Sequence, residues 1–163
     1  MQNEDPKSDI KYKEDCIFCK IVKGEIPCHK IWEDEKHIAF LSIFPNTQGF
    51  TVLVTKEHYP SYAFDLPDEV LTNLTIAAKK VAKLLDRKFD DVRRTALVYE
   101  GFGVDHVHAK LIPMHGTKPQ NSWKPIESEI KTYFEKYPGY ISTNDSLRAD
   151  DAKLKELAEK LRE

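Results

Sequence analysis

The stretch Asp105-His106-Val107-His108-Ala109-Lys110-Leu111-Ile112-Pro113 holds the densest set of groups in the chain that can do chemistry. In a β-strand, side chains alternate between faces. His106, His108 and Lys110 then share one face, and Val107, Ala109 and Leu111 share the other, which points into a core. Three basic, hydrogen-bonding groups at ~7 Å intervals form a ladder suited to an anionic ligand. The plainer alternative is a polar strand face that merely meets solvent. A neutral imidazole is a nucleophile, and an ordinary histidine pKa near 6.5 keeps that form in the majority at pH 7. A cationic Lys110 on the same face disfavours the imidazolium, which predicts a lowered pKa for His108. Lys110 also offers a point charge to an anionic ligand.

Cys16-Ile17-Phe18-Cys19 is the second constellation. A CxxC pair alone fits half of a structural zinc site, a redox pair, or two small core residues. A redox role prefers a preceding strand, and none is visible. A zinc site needs two further ligands, and with no second CxxC they must come from His29, His37, His58, His106, His108 or His115. A hydrolytic metal on His106 and His108 needs more carboxylate or histidine ligands in reach, and a protonated Lys110 cannot serve. Cys28 reads as a core or edge residue.

These groups need a scaffold. CIFCKIVK, ended by Gly24, reads as a short helix. Strand-like segments follow at His29–Glu33, His37–Phe44 and Phe50–Thr55, with Pro45 to Gly49 as the turn between the last two. Residues 67–88 read as the main helix, with Pro67, Asp68 and Glu69 in its first turn and Val70, Leu74, Ala77, Ala78, Val81, Leu84 and Leu85 on one face. Thr95–Glu100 and Asp105–Pro113 are further strands, joined through Gly101-Phe102-Gly103. Residues 1–15 read as a flexible arm, and 16–117 as the domain. Residues 118–163 read as an extension that packs on the domain or across a dimer, with short helices near Glu127–Tyr137 and Asp150–Leu161. The class is α+β.

Composition narrows the function. Across 163 residues, 25 Lys+Arg against 27 Asp+Glu leave a charge of −2, without the basic footprint of a nucleic-acid binder. No stretch approaches the ~18–20 apolar residues of a membrane span, and the polar N-terminus has no secretory h-region. Three cysteines make no disulfide framework. A cytoplasmic protein with reduced thiols, binding neither nucleic acid nor membrane, is the expectation.

From Cys16 to His115 the chain resembles the histidine-triad (HIT) superfamily of nucleotide hydrolases and transferases. The resemblance is carried by CIFCKIVKGEIP, IAFLSIFPNTQGFTVLVTKEH, the long helix and HVHAKLIP in that order. It implies an antiparallel sheet of about five strands with one long helix, a homodimer, and a purine mononucleotide site beside the histidine strand. His108 falls on the family's nucleophilic histidine and His106 on the first of the triad. Cys16 and Cys19 fall on the CxxC of zinc-bearing bacterial members, with His58 as third ligand and His106 as fourth, a closed structural zinc site. Ile17, Phe18, Phe40 and Ile43 fall on the apolar base pocket. Lys110 replaces the third triad histidine, and Ser42 replaces the ribose-binding acidic residue. Glu100 stands for a common Asn, and Gly101-Phe102-Gly103-Val104-Asp105 for the Gly-Gln-Ser/Thr-Val lead-in. The backbone N–H groups of Gly101 and Gly103 are expected near the phosphate. The implied reaction is hydrolysis of a phosphoramidate, a dinucleoside polyphosphate or a related nucleotide through a nucleotidyl-histidine. The alternative is a nucleotide-binding regulatory module with little turnover.

Overall fold

Cys16 starts the first helix, α1 (Ile17–Lys23), and Gly24 closes it at φ 80°, a left-handed conformation that glycine adopts without a Cβ penalty. The strands β1 (Lys30–Glu33), β2 (His37–Leu41) and β3 (Thr51–Thr55) follow. Next come a 3₁₀ turn at Ala63–Asp65 and the long helix α2 (Asp68–Lys88), then β4 (Thr95–Val98) and β5 (His108–Pro113). This computed structural model of the chain describes residues 11–117, 123–142, 148 and 152.

All strand pairs are antiparallel, in the order β1-β2-β3-β5-β4. The expected α+β fold with a five-stranded antiparallel sheet is present. β2 and β3 are buried on both faces, so they read as unbroken apolar runs. On one face Ala39, Leu53, Val107, Ala109 and Leu111 meet Leu74, Ala77, Ala78, Val81 and Leu85 of α2. This is the face predicted for the three apolar residues of the histidine segment. On the other face Ile38, Phe40, Val52 and Val54 meet Phe18, Cys19 and Ile21 of α1. Fully burying one such Leu, Val or Phe contributes about 1.5–3 kcal/mol. His108 lies opposite Val54 and Lys110 opposite Val52, which puts both on the α1 face.

β2 ends at Leu41 rather than Phe44, and β4 at Val98 rather than Glu100, and three further expectations change. First, the strand predicted over Asp105–Pro113 begins only at His108, because Asp105 to Val107 make a turn tied elsewhere. The Asp105 carboxylate accepts the Ser61 N–H at 3.0 Å, and the Val107 N–H donates to the Tyr59 carbonyl at 2.9 Å. Second, no helix forms over residues 127–137, which carry no regular structure. Ile130, Tyr133 and Tyr137 are exposed there, and a short isolated helix is marginal in water. The helix expected over 150–161 lies, except for Ala152, outside the described residues. Third, the end of the expected arm is anchored. The Lys11 carbonyl accepts the His58 N–H at 2.7 Å, and the Lys13 carbonyl accepts the Cys16 N–H at 3.1 Å. Residues 1–10 lie outside the described part.

The chain divides into two units between Asn121 and Ser122. In the second, Phe134 and Tyr140 meet edge to face at 5.7 Å. Among the described residues no helix is long and apolar enough to cross a membrane.

His115 clamps the far end of the sheet. When the ring is protonated, its Nε2–H donates to the Gln48 carbonyl at 2.8 Å and its Nδ1–H to the Asp91 carboxylate at 3.0 Å. The Gln48 carbonyl first, and Asp91 second, raise the His115 pKa, while the bond from His115 chiefly holds that of Asp91 down. The histidine's contribution is full below its unfolded value of about 6.5 and fades as pH rises through the folded value. The carboxylate's contribution is full above about 3.9 and fades as pH falls through its folded value. The melting-temperature difference between the native chain and His115→Gln is therefore expected to be greatest near pH 5–6 and to shrink by pH 9. Thermal denaturation across that range is the check.

Candidate functional site

Four metal-ligating side chains converge beneath α1. Cys16 and Cys19 lie three residues apart, one on each side of the helix start, so their thiols face the same way. His58 comes from the loop after β3, and His106 from the turn before β5. Their donor atoms all lie within 4.8 Å of one another. His106 Nδ1 is 3.4 Å from Cys16 Sγ and 3.6 Å from Cys19 Sγ. His58 Nδ1 is 3.4 Å from Cys19 Sγ and 3.3 Å from His106 Nδ1. Zn–S near 2.3 Å and Zn–N near 2.05 Å in a tetrahedron require S···N of roughly 3.5 Å and N···N of roughly 3.3 Å. The residues fit a zinc ion.

The surroundings support the same donor set. His106 Nε2–H donates to the Thr55 carbonyl at 2.8 Å, which fixes the tautomer that turns a bare Nδ1 to the thiols. Burial pushes the His106 pKa down to about 4, so the imidazole is neutral, as a ligand must be. Burial, then the Cys16 thiol, push the Cys19 thiol up against a backbone bond from Lys13, a balance that a bound cation would reverse.

His108 is held through this cluster. Its Nδ1–H donates to the His106 carbonyl at 2.7 Å, which leaves Nε2 without a proton. The Phe18 ring packs edge-on against it at 5.3 Å and against His106 at 5.8 Å, fixing both planes. Its pKa is lowered, as expected, but burial is the main cause, and Lys110 acts third, after the opposing bond to the His106 carbonyl. Both histidines are buried, at 0% and 3% exposure, so the face predicted for them is an interior wall rather than a solvent face.

His108, but not His106, lines a cavity of about 400 Å³, within the range of small-molecule sites. Ile17, Phe18, Phe40, Ser42, Ile43, Gly103, His108 and Lys110 all line it. Phe18 and Phe40 form its floor, while Ile17 and Ile43 are exposed at the rim. Ser42 caps a turn, accepting the Phe44 N–H at 3.1 Å on its hydroxyl. Phe50, Val104 and Cys28 also contribute, and the sequence reading left them out. Cys28 is half-buried, packed at the edge of the core beneath α1 and also bordering the cavity.

Two residues behave differently from expectation. Gly101 does not line the cavity. It sits at φ 77°, where a Cβ would lie 2.8 Å from the Ser61 carbonyl oxygen, so the loop's packing on Ser61 accounts for this glycine. Lys110 is not a lone cation: its Nζ donates to Glu100 Oε2. A smaller, more polar cavity of about 280 Å³ lies beside His37 and α2. Burial lowers the His37 pKa against the Asp34 carboxylate, 3.0 Å from its Nδ1, and that pair closes a local turn.

Comparison with known proteins agrees with this geometry. The HIT domain model matches residues 23–117. The adenosine 5′-monophosphoramidase of Schizosaccharomyces pombe is 38% identical over 99 residues, covering 60% of this chain and 73% of that protein. A solved Streptococcus mutans structure superposes with a TM-score of 0.62 at 30% identity, covering 92% of this chain and 85% of that one. A zinc-bound histidine triad family protein from Mycobacterium smegmatis gives a TM-score of 0.56 at 27% identity, over 69% of this chain and 84% of that one. With the domain model spanning more than half of its length and the histidine strand seated where the sequence motif requires, the chain belongs to the HIT family.

Proposed function

We propose that the chain hydrolyses nucleotidyl bonds through a nucleotidyl-histidine formed on His108. The observation that carries this reading is the bare Nε2 of His108 in an apolar cavity, with Nδ1–H spent on the His106 carbonyl. The base of a nucleoside monophosphate packs among Ile17, Phe18, Phe40 and Ile43, the sugar passes Ser42, and the phosphate reaches His108 beside Gly103. Nε2 attacks the α-phosphorus, a P–N bond forms, and the leaving group departs with its bonding electrons. Water then cleaves the P–N bond and releases the monophosphate. Lys110 supplies positive charge beside the phosphoryl oxygens.

Cys16, Cys19, His58 and His106 would hold zinc, which with four protein ligands supplies structure rather than a water nucleophile. His106 links that cluster to the chemistry, because its carbonyl orients His108. Steady-state release of adenosine monophosphate from an adenosine phosphoramidate or a diadenosine polyphosphate is the test. Stabilisation by nucleotide without turnover would instead mark a regulatory module.

The working form is a homodimer. The open edge strand β4, with the exposed apolar Leu97 on it, gives it a surface to pair. Light scattering is expected to give about twice the chain mass of 18.9 kDa. A monomer at micromolar concentration would count against it. The three free thiols suit the reducing cytoplasm.

A further inference from the structure

We infer that the Glu100–Lys110 pair makes this site select leaving groups that depart as anions over leaving groups that depart as amines. The inference rests on the reading of His108 as nucleophile and adds the class of bond the site breaks best. Lys110 follows His108 by two residues in β5, on the same face and lining the same cavity. Glu100 approaches from the end of β4, its side chain only 10% exposed, and takes the ammonium in an ion pair. The carboxylate in that position holds the ammonium in place in the cavity wall. The site therefore presents a fixed positive charge next to the nucleophile.

The two classes of leaving group differ in what they need. When His108 Nε2 displaces a carboxylate or a phosphate from the α-phosphorus, the P–O electron pair leaves on oxygen. The resulting anion is stable without a proton and is drawn to the Lys110 charge. When Nε2 displaces an amine, the P–N electron pair leaves on nitrogen, and that nitrogen must collect a proton to depart as a neutral amine. The histidine donors nearby are committed. His108 Nδ1–H is given to the His106 carbonyl, and His106 Nε2–H to the Thr55 carbonyl. His58 faces the thiols. His29 also lines the cavity, but it precedes β1, three strand spacings or roughly 14 Å from β5. The pair thus favours anhydrides of a nucleoside monophosphate, with a carboxylic acid or a further phosphate, over phosphoramidates.

The test measures kcat/KM for two donors of the same adenylyl group, the mixed anhydride of AMP with a carboxylic acid and an alkylamine phosphoramidate of AMP. Ratios between proteins cancel the intrinsic reactivity of the donors. Lys110→His puts a titratable imidazole in place of the fixed cation. It is expected to raise the phosphoramidate-to-anhydride ratio by at least about 10-fold, part of the 10²–10⁴ that a general acid contributes. Glu100 acts as a positioning residue, and Glu100→Gln is expected to move the ratio the same way by a smaller factor, which a purely structural role would not do. Within the native protein, a series of phosphoramidates should slow steeply as the leaving amine becomes more basic, which keeps the test open if a variant fails to fold. An unchanged ratio in both variants, or a flat series, overturns the selectivity while native turnover leaves His108 as nucleophile. Failure of the native protein to release AMP from either donor overturns the reading of the site, and the selectivity with it.

Discussion

His108→Ala is expected to release nucleoside monophosphate at least roughly 10⁴-fold more slowly than the native chain while still binding nucleotide. The size follows from what is removed. The side chain supplies the atom that would bond to phosphorus, and no neighbour can replace it. His106 Nδ1 points to the thiols and Lys110 is an ammonium on Glu100. Binding survives because Phe18, Phe40 and the rim residues Ile17 and Ile43 are untouched. The fold survives because the core beneath the strand, Val107, Ala109 and Leu111, faces the other way. Isothermal titration of the monophosphate beside steady-state kinetics separates the two effects.

Loss of the cysteine–histidine cluster should produce the second large effect, on stability. The native protein is expected to carry about one zinc per chain, and Cys19→Ser to lose it. Structural zinc is worth about 10–16 kcal/mol in peptides whose whole fold depends on it. Here two apolar cores flank the sheet. A fall in melting temperature on the order of 10 °C is therefore expected rather than outright unfolding. His106→Ala should lower both zinc content and turnover, because losing the side chain opens the cluster that holds in place the backbone carbonyl orienting His108. Elemental analysis with thermal denaturation, on protein purified without a metal-affinity tag, checks the set. Metal-free native protein of undiminished stability would contradict it.

The parts legible in the sequence were those with a local period or a fixed spacing. The stripe from Leu74 to Leu85 announced α2, and the apolar runs around Phe40 and Leu53 announced buried strands. The alternation of His108, Ala109, Lys110 and Leu111 held in the folded strand. The cluster was readable only because a CxxC pair and two distant histidines matched a known pattern. What stayed hidden depends on contacts far apart in the chain. The turn at Asp105 to Val107 is set by Ser61 and Tyr59 from another loop, so strand periodicity overran it. The Glu100–Lys110 pair arises from the packing of β4 beside β5. Residues 127–137 have apolar side chains that suggest a helix, but no regular structure forms there.

The central claim, a nucleotidyl group carried on His108, is tested most directly by rapid quench of the native protein with a radiolabelled adenylyl donor, followed by peptide mapping. The account predicts an acid-labile, alkali-stable label that appears within one turnover, maps to the peptide holding His108, and is absent from His108→Ala. A label on any other residue, or full turnover by His108→Ala, would contradict it.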